Sequence, residues 1–180
     1  TKIVTVKNLL TGDVFEDKYD VLVFATGATF LTPDAFLGKH FENVFQVRNI
    51  NSGKKIKSFI ENEKPMTAVI VGAGYIGLEV AEQLKARGIE VTILQRGKHP
   101  LSHLDWDMSI RIEDEMIKQG IDFRSEETIQ TLNGSSRLDE AITNKGTKLS
   151  ADMYILATGV QPNVSLAQSI GVKLGETGAI

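Results

Sequence analysis

The sequence contains no cysteine. That excludes a disulfide scaffold, thiolate metal ligands and a cysteine nucleophile within this chain. Only four prolines, one tryptophan and three histidines are present. His40, His99 and His103 are scattered, and Pro100 interrupts the one pair at helical spacing. They read as solvated loop residues, and no metal centre is expected. No apolar run approaches the ~20 residues of a membrane-spanning helix. No cationic and then apolar leader opens the chain. Charge of one sign is also scarce, because 20 basic against 23 acidic residues leave a net charge of −3. A basic face that neutralises phosphates is therefore not expected, and neither nucleic acid nor membrane is an expected partner.

What is present is ordinary globular composition, 42% hydrophobic and 24% charged over 180 residues. A chain of that length can bury roughly two thirds of its unfolded surface. It opens at Thr1 and stops at Ile180 after a Gly-containing stretch, which suggests a piece of a longer protein.

Ile3 to Val6 alternates, Thr11-Gly12-Asp13 supplies turn residues, and Val14-Phe15 resumes the pattern, which predicts a hairpin. Tyr19 to Ala25 is a compact apolar run ending in Thr26-Gly27 and reads as a strand buried on both faces. Residues 29–50 read as a connection, with short structure around Val44 to Val47. Asn51 or Ser52 can cap a helix to about Glu61, with Ile56, Phe59 and Ile60 on its apolar face.

The clearest unit follows. Ala68 to Val71 is a buried strand, Gly72-Ala73-Gly74-Tyr75-Ile76-Gly77 comes at once, and a helix continues to Arg87. Its predicted face is Ile76, Val80 and Leu84, Gly88 stops it, and Ile89 to Leu94 is the next strand. Asp105 can cap another helix with Met108, Ile112 and Met116 on one face and Gly120 as its stop, before a short strand at Ile121 to Phe123. Thr128 to Leu149 reads as antiparallel, with turn signals at Asn133-Gly134 and Asn144-Lys145-Gly146. Asp152 to Ala157 is a further buried strand ending in Thr158-Gly159, with a short helix expected near Leu166 to Ser169. One device appears twice: Asp20 to Gly27 and Asp152 to Gly159 both read acid, four apolar residues, Ala-Thr-Gly.

The G-x-G-x-x-G loop has a physical task. Gly72 permits the tight turn, Gly74 lets a pyrophosphate approach the backbone, and Gly77 lets helix and strand pack closely. The helix N-terminus then offers free N–H groups and partial positive charge. Alone the pattern is weak, but here strand, loop, helix and second strand supply its context. An acid about 20 residues past the loop would bind the ribose hydroxyls of NAD. That position is Gln95, followed by Arg96, which can pair with a 2′-phosphate. Gly77 leans towards NADH and the Gln95–Arg96 pair towards NADPH, with NADPH slightly favoured. Glu79 is read as a first-turn acid that suits the helix dipole.

Three segments together resemble a known family: Ala25-Thr26-Gly27, Gly72 to Glu79, and Asp152 to Gly159 followed by Gln161-Pro162-Asn163. In order and spacing the chain resembles the FAD-dependent pyridine nucleotide–disulfide oxidoreductases. Phe45 to Asn49 and Tyr75 to Glu79 look most like the coenzyme A-disulfide reductase, NADH oxidase and NADH peroxidase branch.

The resemblance implies an α/β fold, a Rossmann-like doubly wound parallel sheet with an antiparallel β-meander, flanked by partial FAD-domain strands. Residues 1–30 would be a partial FAD-domain hairpin and first crossing strand, 31–150 the NAD(P)-binding domain, and 151–180 the second crossing and the start of the return. It further implies hydride transfer from NAD(P)H to FAD and on to a disulfide or oxygen acceptor.

Carried over by position, Gly72, Gly74 and Gly77 would hold the pyrophosphate, Tyr75 would gate the nicotinamide pocket, and Glu79 would bond the nicotinamide amide, with Ala73 and Ile76 of the same loop also among the cofactor-binding residues. Gln95 and Arg96 would meet the adenosine, Gly159 and Val160 would lie along the nicotinamide, and Thr26 and Gly27 would lie near FAD. The family's upstream glycine loop, redox cysteine, later FAD-contacting segment and dimerisation domain have no counterpart here. The chain is therefore expected to bind no FAD stably and to catalyse nothing alone, with no catalytic residue of its own. The parent is expected to be a cytoplasmic homodimer. A stand-alone NAD(P)H-sensing module is the alternative; a nucleoside-cofactor methyltransferase would leave the second Ala-Thr-Gly strand unexplained.

Overall fold

The computed structural model describes residues 2–180. In chain order the strands are β1 (Ile3–Lys7), β2 (Val14–Lys18), β3 (Ala28–Phe30), β4 (Val44–Gln46), β5 (Thr67–Val71), β6 (Glu90–Gln95), β7 (Asp122–Ser125), β8 (Ile129–Gly134), β9 (Leu138–Thr143), β10 (Lys148–Leu149), β11 (Met153–Leu156) and β12 (Val160–Pro162). The helices are α1 (Ile50–Glu63), α2 (Tyr75–Lys85), α3 (Trp106–Lys118) and α4 (Ser165–Ser169), with one 3₁₀ turn at Asp34–Phe36. The chain divides into a smaller unit, Thr1–Thr29 with Pro162–Ile180, and a larger one, Phe30–Gln161. No helix among the described residues is long and apolar enough to cross a membrane.

The larger unit is built on a parallel sheet in the order β4-β11-β5-β6-β7. Its strands are continuously apolar because both faces are covered. Alternate residues divide between two cores. Ala68, Ile70, Val91, Ile93, Met153 and Ile155 face one cluster, which takes in Ile56, Phe59 and Ile60 of α1, Leu84 of α2 and Met116 of α3. Val69, Val71, Leu94, Tyr154 and Leu156 face the other, with Ile129, Leu132, Leu138 and Leu149 from the three-stranded antiparallel sheet β10-β9-β8. Helices thus cover one face and the meander covers the other. The α/β class, the parallel sheet and the meander are as the sequence predicts.

Polar groups pin these layers at two places. Asn43 is buried; its Nδ2 donates to Leu138 O at 3.0 Å, and Leu138 N–H donates to its Oδ1 at 2.8 Å. It thereby ties the segment just before β4 to the first residue of β9. At the start of β11, Met66 N–H, Thr67 N–H and Thr67 Oγ1 donate to Asp152 Oδ2 at 2.8, 2.9 and 3.0 Å. Burial is the largest influence on this carboxyl and opposes its ionisation. The three donors and the nearby Arg137 outweigh it and hold Asp152 below the usual carboxylate range.

Several expectations are corrected. The residues from Tyr19 to Ala25 form no strand: Val21 and Val23 are 79% and 78% exposed, and among the described residues no ladder partner flanks them. A strand buried on both faces needs neighbours to satisfy its N–H and C=O groups, and β11, with the same pattern, has β4 and β5. The cap of α1 is Asn49, in a capping box with Ser52 (Ser52 N–H to Asn49 Oδ1, 3.0 Å), so the helix starts earlier than predicted. Of the predicted face of α2, Leu84 is buried and Val80 packs against the core, whereas Ile76 is exposed; Gly77 and Ala81 complete the buried stripe. The helix ends at Lys85, not Arg87, although Gly88 does adopt a left-handed φ of 76°. In α3 Ser109 and Met116 are buried and Met108 is exposed. Asn133-Gly134 stays within β8, and the turn to β9 follows it. His99 and His103 lie in a loop as predicted, and each has a partner there: His99 Nδ1 lies 3.4 Å from Glu113 Oε2 and His103 Nε2 lies 2.9 Å from Tyr75 Oη.

The twin Ala-Thr-Gly segments behave alike in one respect. In the smaller unit Thr26 Oγ1 donates to Asn163 O and Asn163 N–H donates to Gly27 O. In the larger unit Thr158 Oγ1 donates to Leu31 O and Leu31 N–H donates to Gly159 O. Each threonine–glycine pair thus holds the residue five places past the other threonine. The hairpin β1–β2 forms as predicted, paired from Ile3↔Lys18 to Lys7↔Val14.

Candidate functional site

The chain order reverses at β5: β6 and β7 follow on one side, whereas β11 and β4 lie on the other. Crevices for ligands open at the carboxyl ends of strands at such a reversal. A cleft of about 990 Å³ lies there, within the larger unit. Its walls include Gly72 and Gly74 after β5, Gln95 and Arg96 at the end of β6, and Thr158 and Gly159 after β11.

Each loop glycine has its own task. Gly72 has a φ of 109°, and a Cβ on it would stand 2.4 Å from Ala157 O. A Cβ on Gly77 would stand 2.0 Å from Gly72 O. Both positions exclude any side chain, because helix, loop and strand meet there. Gly74 is different: a Cβ on it would meet nothing within 4 Å. Its bare backbone faces open space in the cleft wall. Gly74 is the N-cap of α2 without a side-chain cap, and the first intrahelical bond is Leu78 N–H to Gly74 O. The amides of Tyr75, Ile76 and Gly77 lie ahead of that bond, at the positive end of the helix dipole. A cleft at the reversal, a loop stripped of side chains and open helix amides fit a dinucleotide pyrophosphate.

The pyridine nucleotide-disulphide oxidoreductase family matches residues 1–180. The chain belongs to that family. Among its relatives, the NAD(P)H sulfur oxidoreductase (CoA-dependent) of Pyrococcus abyssi is 38% identical over 164 residues, which are 91% of this chain and 36% of that protein. The coenzyme A disulfide reductase of Staphylococcus epidermidis is 37% identical over 177 residues, 98% of this chain and 39% of that protein. The solved structure of a NAD-dependent persulfide reductase from A. fulgidus superposes with a TM-score of 0.86 at 33% identity, covering 99% of this chain and 33% of that one. The chain thus spans little more than a third of these oxidoreductases.

Of the residues singled out in the sequence, Gly72, Gly74, Gln95, Arg96 and Gly159 line the cleft together. Ala73 is buried and spent within the protein: its N–H donates to Gln95 Oε1 at 3.1 Å and its carbonyl accepts from Leu101 N–H at 2.9 Å. Gln95 is correspondingly occupied, with Nε2 donating to His99 O at 3.4 Å. Arg96 is exposed. Tyr75 is 59% exposed and bonded to His103 rather than packed inward. Glu79 is exposed in the second turn of α2, not the first, and Ile76, Glu79 and Val160 do not line the cleft. Thr26 and Gly27 belong to the smaller unit, where both are engaged with Asn163.

Sequence reasoning missed Glu127, an acid only 5% exposed that lines the same cleft. It missed Leu101 too, which holds a left-handed φ of 46° while its N–H anchors the loop. Two consecutive acids past a strand were the only signal for the first, and nothing in the pattern marked either as buried.

Proposed function

We propose that this chain is the NAD(P)H-binding part of a flavoprotein oxidoreductase, which holds the reduced dinucleotide for hydride transfer to FAD and on to a disulfide or oxygen acceptor. The observation that carries it is the cleft at the strand reversal, with Gly74 bare in its wall and the α2 amides open beside it. Family membership supports it, as do relatives named for NAD(P)H-dependent chemistry. In the parent protein FAD supplies the hydride acceptor. This chain's own residues bind and orient. Gly72, Gly74 and the first amides of α2 take the pyrophosphate, Gln95 and Arg96 border the adenosine, and Gly159 runs along the nicotinamide. Tyr75, the first residue of α2, guards the approach to it.

Alone, the chain binds the dinucleotide and turns nothing over, because no group in it accepts a hydride. Calorimetric titration with NADH tests this, and saturation at one dinucleotide per chain is expected. No binding of either NADH or NADPH overturns the proposal. A purified sample with a flavin absorption band contradicts the expectation that FAD needs the rest of the parent.

A further inference from the structure

The end of the second strand is where a βαβ dinucleotide site places the acid that bonds the adenosine ribose. Gln95 stands there, as the last residue of β6, and borders the cleft. Its side chain is engaged at both ends of the amide. Oε1 accepts from Ala73 N–H at 3.1 Å, and Nε2 donates to His99 O at 3.4 Å. These partners fix the orientation of the amide, because an N–H needs its oxygen and a carbonyl needs its NH₂ group. The backbone beneath is held as well, since Gln95 O accepts from Glu127 N–H at 2.9 Å.

The first bond carries the pairing of β5 with β6 on into the glycine loop. Gly72 N–H donates to Leu94 O at 2.7 Å, and the next amide, that of Ala73, meets the side chain of the next residue. The second bond holds the segment that follows β6. That segment also returns to the loop, where Leu101 N–H donates to Ala73 O at 2.9 Å. Leu101 is 5% exposed and keeps a left-handed φ of 46°, which is unfavourable for a residue with a side chain. Both backbone groups of the buried Ala73 are thus taken by residues 95–101.

A carboxylate in place of the amide would still accept from Ala73 N–H. It would also set an oxygen, with no proton to offer, against His99 O. Only an amide satisfies both partners, which accounts for a neutral side chain at this position.

We propose that Gln95 is a positioning residue of the cleft and not a ligand for the ribose: its carboxamide clamps the glycine loop to the segment after β6, so the loop that leads into α2 is fixed before a dinucleotide arrives. A site ordered in advance gains affinity without an added contact. This rests on the cleft being a dinucleotide site.

The test is titration of the wild-type chain, Gln95→Met and Gln95→Glu with NADH and with its 2′-deoxyadenosine analogue, their folding checked by thermal unfolding. Gln95→Met keeps the length of the side chain but has no N–H and only a weak acceptor. It is expected to weaken both ligands alike, by about tenfold, and to speed hydrogen exchange at Ala73 N–H. Gln95→Glu supplies the acid that serves the ribose in other sites, yet should weaken NADH about threefold because its carboxylate faces His99 O. A ribose ligand behaves differently: Gln95→Met would cost affinity for NADH and none for the analogue, and Gln95→Glu would bind NADH more tightly. Either result overturns the proposal. Unchanged NADH affinity in folded Gln95→Met also overturns it, while the dinucleotide site stands. If Gln95→Met does not fold, Gln95→Glu decides: weaker NADH binding upholds the clamp, and equal or tighter binding overturns it. Failure of NADH to bind wild type overturns the site and the proposal together.

Discussion

Gly74 and Gly77 are three residues apart and should respond oppositely to the same methyl group. At Gly77 the new Cβ would stand 2.0 Å from Gly72 O, which is backbone and cannot turn aside. Gly77→Ala is expected to cost about 3 kcal/mol of stability, typical of overpacking, read as a lower thermal midpoint. At Gly74 nothing lies within 4 Å and φ is −81°, so Gly74→Ala should leave stability within about 0.5 kcal/mol. Its methyl group would stand where the pyrophosphate approaches, and NADH affinity should fall about tenfold. Equal effects on stability would contradict this division of labour.

Asp152 carries a pH prediction. Its folded pKa is lowered, so the stabilisation is full above the ordinary carboxylate value and is lost as pH falls through the folded one. Asp152→Asn should unfold at a lower temperature than wild type at pH 7, and the gap should close below about pH 4. A gap that widens on acidification would sink the assignment.

At the scale of elements, the helices show how far periodicity reaches. It predicts that α1, α2 and α3 exist and roughly where they stop. It places the face of α1 correctly in Ile56, Phe59 and Ile60. In α2 and α3 it errs only at the first predicted position, where Ile76 and Met108 are exposed while Gly77 and Ser109 face inward; Val80, Leu84, Ile112 and Met116 face the core as predicted. A hydrophobicity pattern cannot register a glycine buried for want of space. The start of α1 was missed because Asn49, Asn51 and Ser52 are all good caps in sequence. Only the backbone decides: Asn49 is extended, at φ −149° and ψ 177°, and its side chain reaches Ser52 N–H. Asn49→Ala is expected to destabilise the chain by about 1 kcal/mol, whereas Asn51→Ala, within the helix, should not. Denaturant midpoints of the two variants separate these outcomes.

Across the whole molecule, the larger unit holds both cores, whereas the segment from Val21 to Val23 is exposed and unpaired among the described residues. Proteases select exposed segments whose backbone is not tied into sheets or helices. Limited chymotrypsin digestion should therefore cut first between Tyr19 and Phe24 and leave the unit Phe30–Gln161 resistant. First cuts within β5, β6 or β11 would contradict the layering described here.

The sequence by itself determined the family, the βαβ unit, the antiparallel meander and the position of the glycine loop. Those features rest on local spacing: a short apolar run, two glycines that exclude any Cβ, and a periodic helix between strands. Tertiary structure alone decided the rest. Residues 20–27 and 152–159 share one pattern, yet only the second forms a buried strand, because only it lies between two others. Gln95 reads as a ligand residue until its Oε1 is found on Ala73 N–H. Glu127 acquires its place in the cleft only when β7 is laid against β6. Burial and partnership arise between segments distant in the chain, and no local pattern encodes which segments will meet.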